Sequence, residues 1–260
     1  MSEADYRFDH IVDSLRRVGL KQGDVIYSHS NLGFFGRAKD AGSAKQVCSL
    51  WLDAIFDVIG AEGTLLVPTF SYSFGSDHPE KLFDVRNTPG VGGTFPEQVR
   101  QKEDSIRSLD PMFSVCAIGN RKIELTQDAD TEVFGERSVW ARLTDLNAII
   151  INLNIDITST YIHYVEARNK VPYRVDRTFS GTCIDYDGNK YHTVSVFNSR
   201  DITQANSRTD CRTINGIAHS RDIAISAKVG RGFICGIRTR DYYDLTTELI
   251  ETDPYFLTMK

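Results

Sequence analysis

The 260-residue sequence predicts an α/β protein, a three-layer α/β/α arrangement around a mainly parallel sheet with a smaller β-rich annex towards its C-terminal end. Three observations carry that expectation. Amphipathic helical stretches alternate with short apolar strands through the first half. Residues 63–70 and 148–153 are strongly apolar, as strands buried on both faces of a parallel sheet are. From about residue 178 the pattern changes to short strands around the hairpin signal Asp187-Gly188.

The elements follow in order. Residues 4–18 place Ile11, Val12, Leu15 and Val18 on one helical stripe and read as an amphipathic helix, not a signal peptide. Gly19 and Gly23-Asp24 turn into a strand over 25–29, followed by the glycine-bearing loop 30–36. Ser43 and Gly60 bracket a helix over 43–59 as cap and stop. The strand at 63–70 ends near Pro68, and a long aromatic-rich loop, 71–92, follows; loops of that length are usually functional or mobile. A helix over 94–102, a strand in the second half of 106–119, a helix near 138–145 and the strand 148–153 complete the core to about residue 177. The annex is expected to hold strands at 178–186, 190–197 and 228–237, with a last helix over 241–251. The whole reads as one domain.

Composition sets limits. A hydrophobic share of 41% and a charged share of 25% are ordinary for a soluble globular chain, so a reducing cytoplasm is the expected setting. The five scattered cysteines form no disulfide framework and no CxxC or Cys/His zinc spacing, so no metal is expected. No apolar run reaches the roughly 18–20 residues of a membrane span. Residues 160–240 hold thirteen Lys/Arg against seven acids, an excess of six in a chain of net charge −5. Such charge is spread too thinly for a nucleic-acid binder, yet it favours phosphates over polycations. A homodimer is the assembly left open.

The stretch that bears chemistry is Thr160-Tyr161-Ile162-His163-Tyr164-Val165-Glu166. On a helix, residues three apart are neighbours, so hydroxyl, imidazole and carboxylate share one face, with Thr160 as the expected N-cap. A neutral imidazole held by a carboxylate is what a general base at neutral pH requires. Alone, the heptad favours a capped surface helix with an ordinary His–Glu contact. No GxGxxG, Walker loop or GxSxG elbow is present, and every cysteine sits in an apolar or strand-like setting that suits a structural thiol.

Several motifs in order give the heptad its meaning. They are His29-Ser30-Asn31-Leu32, the run 63–70, Thr88-Pro89-Gly90-Val91-Gly92, Pro96-Glu97-Gln98-Val99-Arg100, Arg107-Ser108-Leu109-Asp110-Pro111-Met112-Phe113-Ser114-Val115, the run 134–143 and Thr160-xx-His163-xx-Glu166. In this order they resemble the aminoglycoside 3-N-acetyltransferase family. That resemblance implies an α/β/α fold, acetyl-CoA as co-substrate without a metal, and a small-molecule amine as acceptor. It implies that His29, Ser30, Asn31 and Leu32, Val67, Pro68 and Thr69, Arg107 and Ser108, and Phe113, Ser114 and Val115 line the path of the pantetheine and phosphates, Arg107 by a charge-assisted fork. His163, held by Glu166, then deprotonates the acceptor amine, and Thr160 or backbone N–H groups stabilise the oxyanion or fix the ring. Tyr72, Glu97, Asp110 and Arg168 are assigned to the acceptor, Asp110 with a turn-capping role as the alternative.

Two positions depart from the family pattern: Asp110 where many members carry His, and Ser159 where Asn is familiar. Both bear on the acceptor. The basic excess after residue 160 points to an amino sugar or a nucleotide-linked amino sugar of a surface-glycan pathway. The alternatives are an aminoglycoside antibiotic as acceptor, a His/Glu hydrolase acting on an ester or amide, and a binding module without activity.

Overall fold

A computed structural model describes residues 4–128 and 130–259. Its sheet is mixed. Three strands form a parallel centre: β1 (Val25–Tyr27), β2 (Thr64–Pro68) and β6 (Ile149–Leu153), with β1 between the other two. On one flank β2 is followed by β5 (Val115–Gly119) and β4 (Ile106–Arg107). On the other, β6 is followed by β10 (Gly232–Arg238) and β9 (Ala224–Val229). All the flanking pairings are antiparallel, so parallel character is confined to the three strands that carry the apolar runs.

Alternation along these strands splits the core into two layers. Ile26, Leu65, Val67, Ile149 and Ile151 face α1 (Phe8–Arg17), α2 (Ala44–Ile59) and α3 (Thr94–Arg100). Tyr27, Leu66 and Ile150 face α5 (Val139–Asp145), α6 (Tyr161–Arg168), α7 (Arg212–Ser220) and α8 (Thr239–Thr252), with α4 (Lys122–Thr126) at the edge. This is the expected three-layer plan. Local chemistry sets several boundaries. Ser43 and Gln46 close a capping box at the start of α2, and Ser138 accepts from the Ala141 N–H at the start of α5.

The annex is a three-stranded sheet of β3 (Leu82–Asp84), β7 (Arg174–Ile184) and β8 (Lys190–Arg200). Two expectations are corrected here. The stretch 228–237 is not an annex strand: it forms parts of β9 and β10, and β10 pairs with β6 in the central sheet. The loop 71–92 is not wholly irregular, because its residues 82–84 pair in parallel with β7 over a small core of Phe74, Phe83, Val85, Met112 and Cys183. Its three-residue strand is too short for a visible period. The Asp187-Gly188 signal does close the β7–β8 hairpin, with Gly188 at φ 83°, where a Cβ would be strained.

Under α2, Trp51 is fully buried, lies 4.4 Å from the Phe35 ring and donates from Nε1 to the Tyr6 hydroxyl at 3.3 Å. Trp51→Ala is expected to cost about 3–5 kcal/mol in urea unfolding, because a rigid aromatic layer cannot collapse into the space. A loss below about 1 kcal/mol would show that this layer is loosely packed.

Candidate active site

The carboxyl ends of β1, β2 and β6 meet at one place, where ligands bind in open α/β sheets. Beyond them come His29, Thr69-Phe70 and the turn leading into α6. Asn152, a polar residue inside the apolar β6 run, ties these ends together. Its Oδ1 accepts from the His29 N–H at 3.3 Å, and its Nδ2 donates to the Thr158 carbonyl at 2.9 Å and to that of Asp156. Sequence reading missed Asn152, although a buried amide in a run of isoleucines is itself a signal, since such a group must be satisfied.

On α6, His163 Nδ1 lies 2.6 Å from Glu166 Oε2, the i,i+3 contact expected. Glu166 is fully buried and holds two more contacts. The Tyr173 hydroxyl donates to Oε1 at 2.9 Å, and Arg174 Nε lies 2.7 Å from Oε2. Arg174 is itself fixed by the Asn198 carbonyl at 3.0 Å and Thr209 Oγ1 at 3.2 Å. An Arg174 amino group also stands 2.7 Å from His163 Nδ1. A carboxylate only accepts and a guanidinium only donates, so the two contacts cannot both be hydrogen bonds through Nδ1; we place the proton there, in the shorter bond to Glu166. That tautomer leaves Nε2 with its lone pair. Burial raises the Glu166 carboxyl, but His163, Arg174 and Tyr173 outweigh it and hold the group below its ordinary range, as the anion. Tyr173 and Arg174 have no motif to announce them in the sequence; they reach Glu166 from the start of the annex strand.

Thr160 stands at the N-cap position with helical backbone angles, and its side chain makes no cap bond. It turns to the other histidine. The Thr160 N–H lies 3.3 Å and its hydroxyl 3.4 Å from His29 Nε2, which also meets the Tyr27 hydroxyl at 3.1 Å. A backbone N–H can only donate, so Nε2 of His29 accepts. Burial, with His163 nearby, lowers the His29 pKa to about 4, and the ring is neutral at working pH. Thr160 therefore fixes the His29 ring. Aromatic rings enclose the space between the histidines on two sides, Tyr27, Trp140 and Phe134 along one path and Phe70 and Phe113 along the other.

A cleft of about 390 Å³ is lined by Ser30, Asn31 and Leu32, which follow His29 in the chain, and by Gly93. Ser30 Oγ is buried with no hydrogen-bond partner, a polar atom left over for a ligand. Gly92 lies against the Pro68 carbonyl, where any Cβ would collide, and a Cβ on Gly90 would come to 3.1 Å from the Thr69 Cα, which explains the glycines of the 88–92 motif. Other residues assigned to this path lie behind its surface. Val67, Pro68, Thr69, Ser108, Ser114 and Val115 are buried, and Phe113 is half-buried in the aromatic wall. Arg107 is 2% exposed; it donates to Ser114 Oγ at 3.0 Å and to the carbonyls of Thr88 and Thr69. With its pKa lowered to about 10, chiefly by burial, it is a strut between β5, β2 and the 88–92 loop, its donors taken up by protein acceptors.

Residues 6–251 match the family described as aminoglycoside 3-N-acetyltransferase. The chain belongs to that family. Aminoglycoside N(3)-acetyltransferase IX of Micromonospora chalcea is 27% identical over 175 residues, 60% of this chain and 60% of that protein. The match thus spans less than two thirds of that relative. Among solved structures, the aminoglycoside acetyltransferase AAC(3)-Xa has a TM-score of 0.80 at 23% identity, covering 94% of this chain and 92% of that one. AAC-IIIb, in a binary structure with CoASH, has a TM-score of 0.77 at 18% identity, covering 95% and 96%. These two show that the fold is shared.

Within this family member, the four residues assigned to the acceptor are not brought together. Tyr72 is exposed, with its ring 5.3 Å from Phe113 at the mouth of the aromatic wall. Arg168, paired with Glu136 at 3.0 Å, lines a second cleft of about 340 Å³ beside Arg174 and Phe134. Glu97 is a clamp: Arg100 first, then the Gly90 N–H and Gln101, hold its carboxylate at a pKa of about 2. Asp110 takes the turn-capping role, accepting from the N–H groups of Met112 at 2.8 Å and Phe113 at 3.0 Å. Asp110 also borders a cleft of about 430 Å³, together with Asp128, Asp130, Asp185 and Asp187. That cleft contains neither histidine. Burial pushes the thiols of Cys183, Cys211 and Cys235 up to about 12 and that of Cys116 to about 11, unsuited to nucleophilic attack. Among the described residues no helix is long and apolar enough to cross a membrane.

His29 generates a pH prediction. Between pH 6.5 and about 4 the unfolded chain protonates this residue while the folded chain does not, so stability rises with pH across that window. The contribution is on the order of 3 kcal/mol at most. Urea unfolding at pH 7 and pH 4.5 should show a smaller difference for His29→Gln than for the parent; equal differences would place the ring in solvent.

Proposed function

We propose that this chain is an acetyl-CoA-dependent N-acetyltransferase whose acceptor is an amine of an aminoglycoside. The observation that carries this is the His163 imidazole, fixed through Nδ1 by a buried, ionised Glu166 with Nε2 left to act, in a chain of this family. Nε2 of His163 takes the proton of the acceptor amine as its nitrogen bonds to the thioester carbonyl carbon. The C–S bond breaks, and the proton passes to the departing thiolate. Glu166 stabilises the imidazolium that forms in between, and the aromatic walls keep water out, which strengthens that stabilisation. Ser30, Asn31 and Leu32 would hold the pantetheine arm in the 390 Å³ cleft, a size suited to a small ligand. Direct transfer needs no protein nucleophile, in keeping with the protonated, buried cysteines.

The choice of acceptor reverses the expectation drawn from linear charge. Six of the thirteen cations between residues 160 and 240 are in ion pairs: Arg168–Glu136, Arg174–Glu166, Arg212–Asp210, Arg221–Glu248, Arg231–Asp5 and Arg238–Asp24. Their partners come largely from outside the segment, so a count along the chain overstated its positive field. The cleft with five aspartates favours a polycation over a diphosphate. The named relative points the same way.

His163→Ala should keep the fold and coenzyme A binding while lowering acetyl transfer to a kanamycin-type acceptor by about 10²–10⁴-fold, read as free thiol released. Near-parental turnover would remove His163 from the mechanism. In calorimetric titration the parent should bind such an acceptor and not a nucleotide-linked amino sugar; the reverse preference would restore the glycan reading.

A further inference from the structure

Outside the histidine pair, Asp156, His219 and Cys235 converge on one point. Asp156 lies in the turn after β6, His219 on α7, and Cys235 on β10 in register with Asn152. His219 Nε2 is 2.9 Å from Asp156 Oδ1, Cys235 Sγ is 3.6 Å from the same oxygen, and Sγ stands 3.9 Å from Nε2. The other imidazole nitrogen, Nδ1, lies 3.1 Å from the Ala224 carbonyl. A carbonyl only accepts, so Nδ1 carries a proton; a carboxylate also only accepts, so without a cation Nε2 is protonated towards Asp156, and release of that proton turns the Nε2 lone pair to the point shared with the carboxylate and the sulfur. This is not a nucleophile triad, in which acid and thiol engage opposite nitrogens. Here both engage the same one.

We propose that Asp156, His219 and Cys235 form a binding site for a single Zn²⁺ ion, with water as the fourth ligand. Zinc bonds of about 2.0–2.3 Å in a tetrahedron place ligand atoms about 3.3–3.5 Å apart, close to the three separations present. The donor set of sulfur, imidazole and carboxylate suits a borderline-soft cation. The His219–Ala224 bond is the outer contact that metal-binding imidazoles commonly make, fixing the tautomer that offers Nε2. Charge also balances: one carboxylate and one thiolate neutralise the dication, and Cys235 releases its proton to solvent on binding. Asp156 and His219 are partly exposed and provide the entry, while buried Cys235 forms the floor. The ion would clasp the turn before Thr160, whose backbone Asn152 already grips, to α7 and β10. The ligands stand 63 and 16 residues apart, so no sequence spacing announces them. The expectation of no metal is revised here for a structural site only.

The test is spectroscopic and needs no turnover. Full-length protein is stripped with a chelator and titrated with Co²⁺, then with Zn²⁺, while absorbance and Tm are followed. The expected result is saturation at one equivalent, a thiolate-to-cobalt charge-transfer band, displacement by Zn²⁺ and a raised Tm. Cys235→Ser and His219→Gln, with far-UV circular dichroism unchanged, should each lose the band and the saturable binding. Absence of the band in the parent protein overturns the proposal whether or not the variants fold, and leaves a His219–Asp156 ion pair only. Binding that survives both substitutions overturns it as well.

Discussion

A buried carboxylate is stable only when its charge is answered, and Glu166 is the group around which this fold is obliged to close. Its two oxygens meet His163 from the same helix and Tyr173 and Arg174 from the start of β7. The contacts from Tyr173 and Arg174 couple α6 to the annex, so the second sheet completes the electrostatics of the helix that carries His163. Arg174 in turn spans to Asn198 on β8 and to Thr209. An imidazole held by an exposed carboxylate would have its partner screened by water. Here the partner is dry and fixed.

The second histidine has the complementary environment. His29 sits at the end of β1, accepts from the Thr160 turn and resists protonation down to about pH 4. One ring is thus backed by an anion and the other kept neutral, within an aromatic enclosure shared by both. In the proposed mechanism the ring backed by the anion moves the proton, and the His29 ring is held against the turn that precedes it.

What could be read in the sequence was what local spacing encodes. The His163–Glu166 contact follows from i,i+3 geometry, and the Ser43–Gln46 capping box and the Asp187-Gly188 hairpin follow from neighbouring residues. What could not be read depends on contacts between distant residues. Arg107 has the chemistry of a phosphate ligand, yet three strand and loop carbonyls and hydroxyls surround it and make it a strut. Glu97 is similarly consumed by Arg100 and the Gly90 loop. The stretch 228–237 looks like more of the annex because its neighbours are strands, but its apolar residues are claimed by β6 of the central sheet. The basic excess after residue 160 shrinks once partners from outside the segment, such as Asp5 and Asp24 from the opposite end of the chain, are in place.

The central claim is that Glu166 acts through His163 on the proton that leaves the acceptor amine. The most direct measurement is the pH dependence of kcat/KM for the parent and for Glu166→Gln, with acetyl-CoA and an aminoglycoside acceptor. A base backed by a carboxylate predicts a single-proton acidic limb in the parent. In the variant that limb should move to lower pH and the plateau should fall, because a neutral amide no longer favours the imidazolium. An acidic limb at the same pH in both proteins, with the same plateau, would contradict the account.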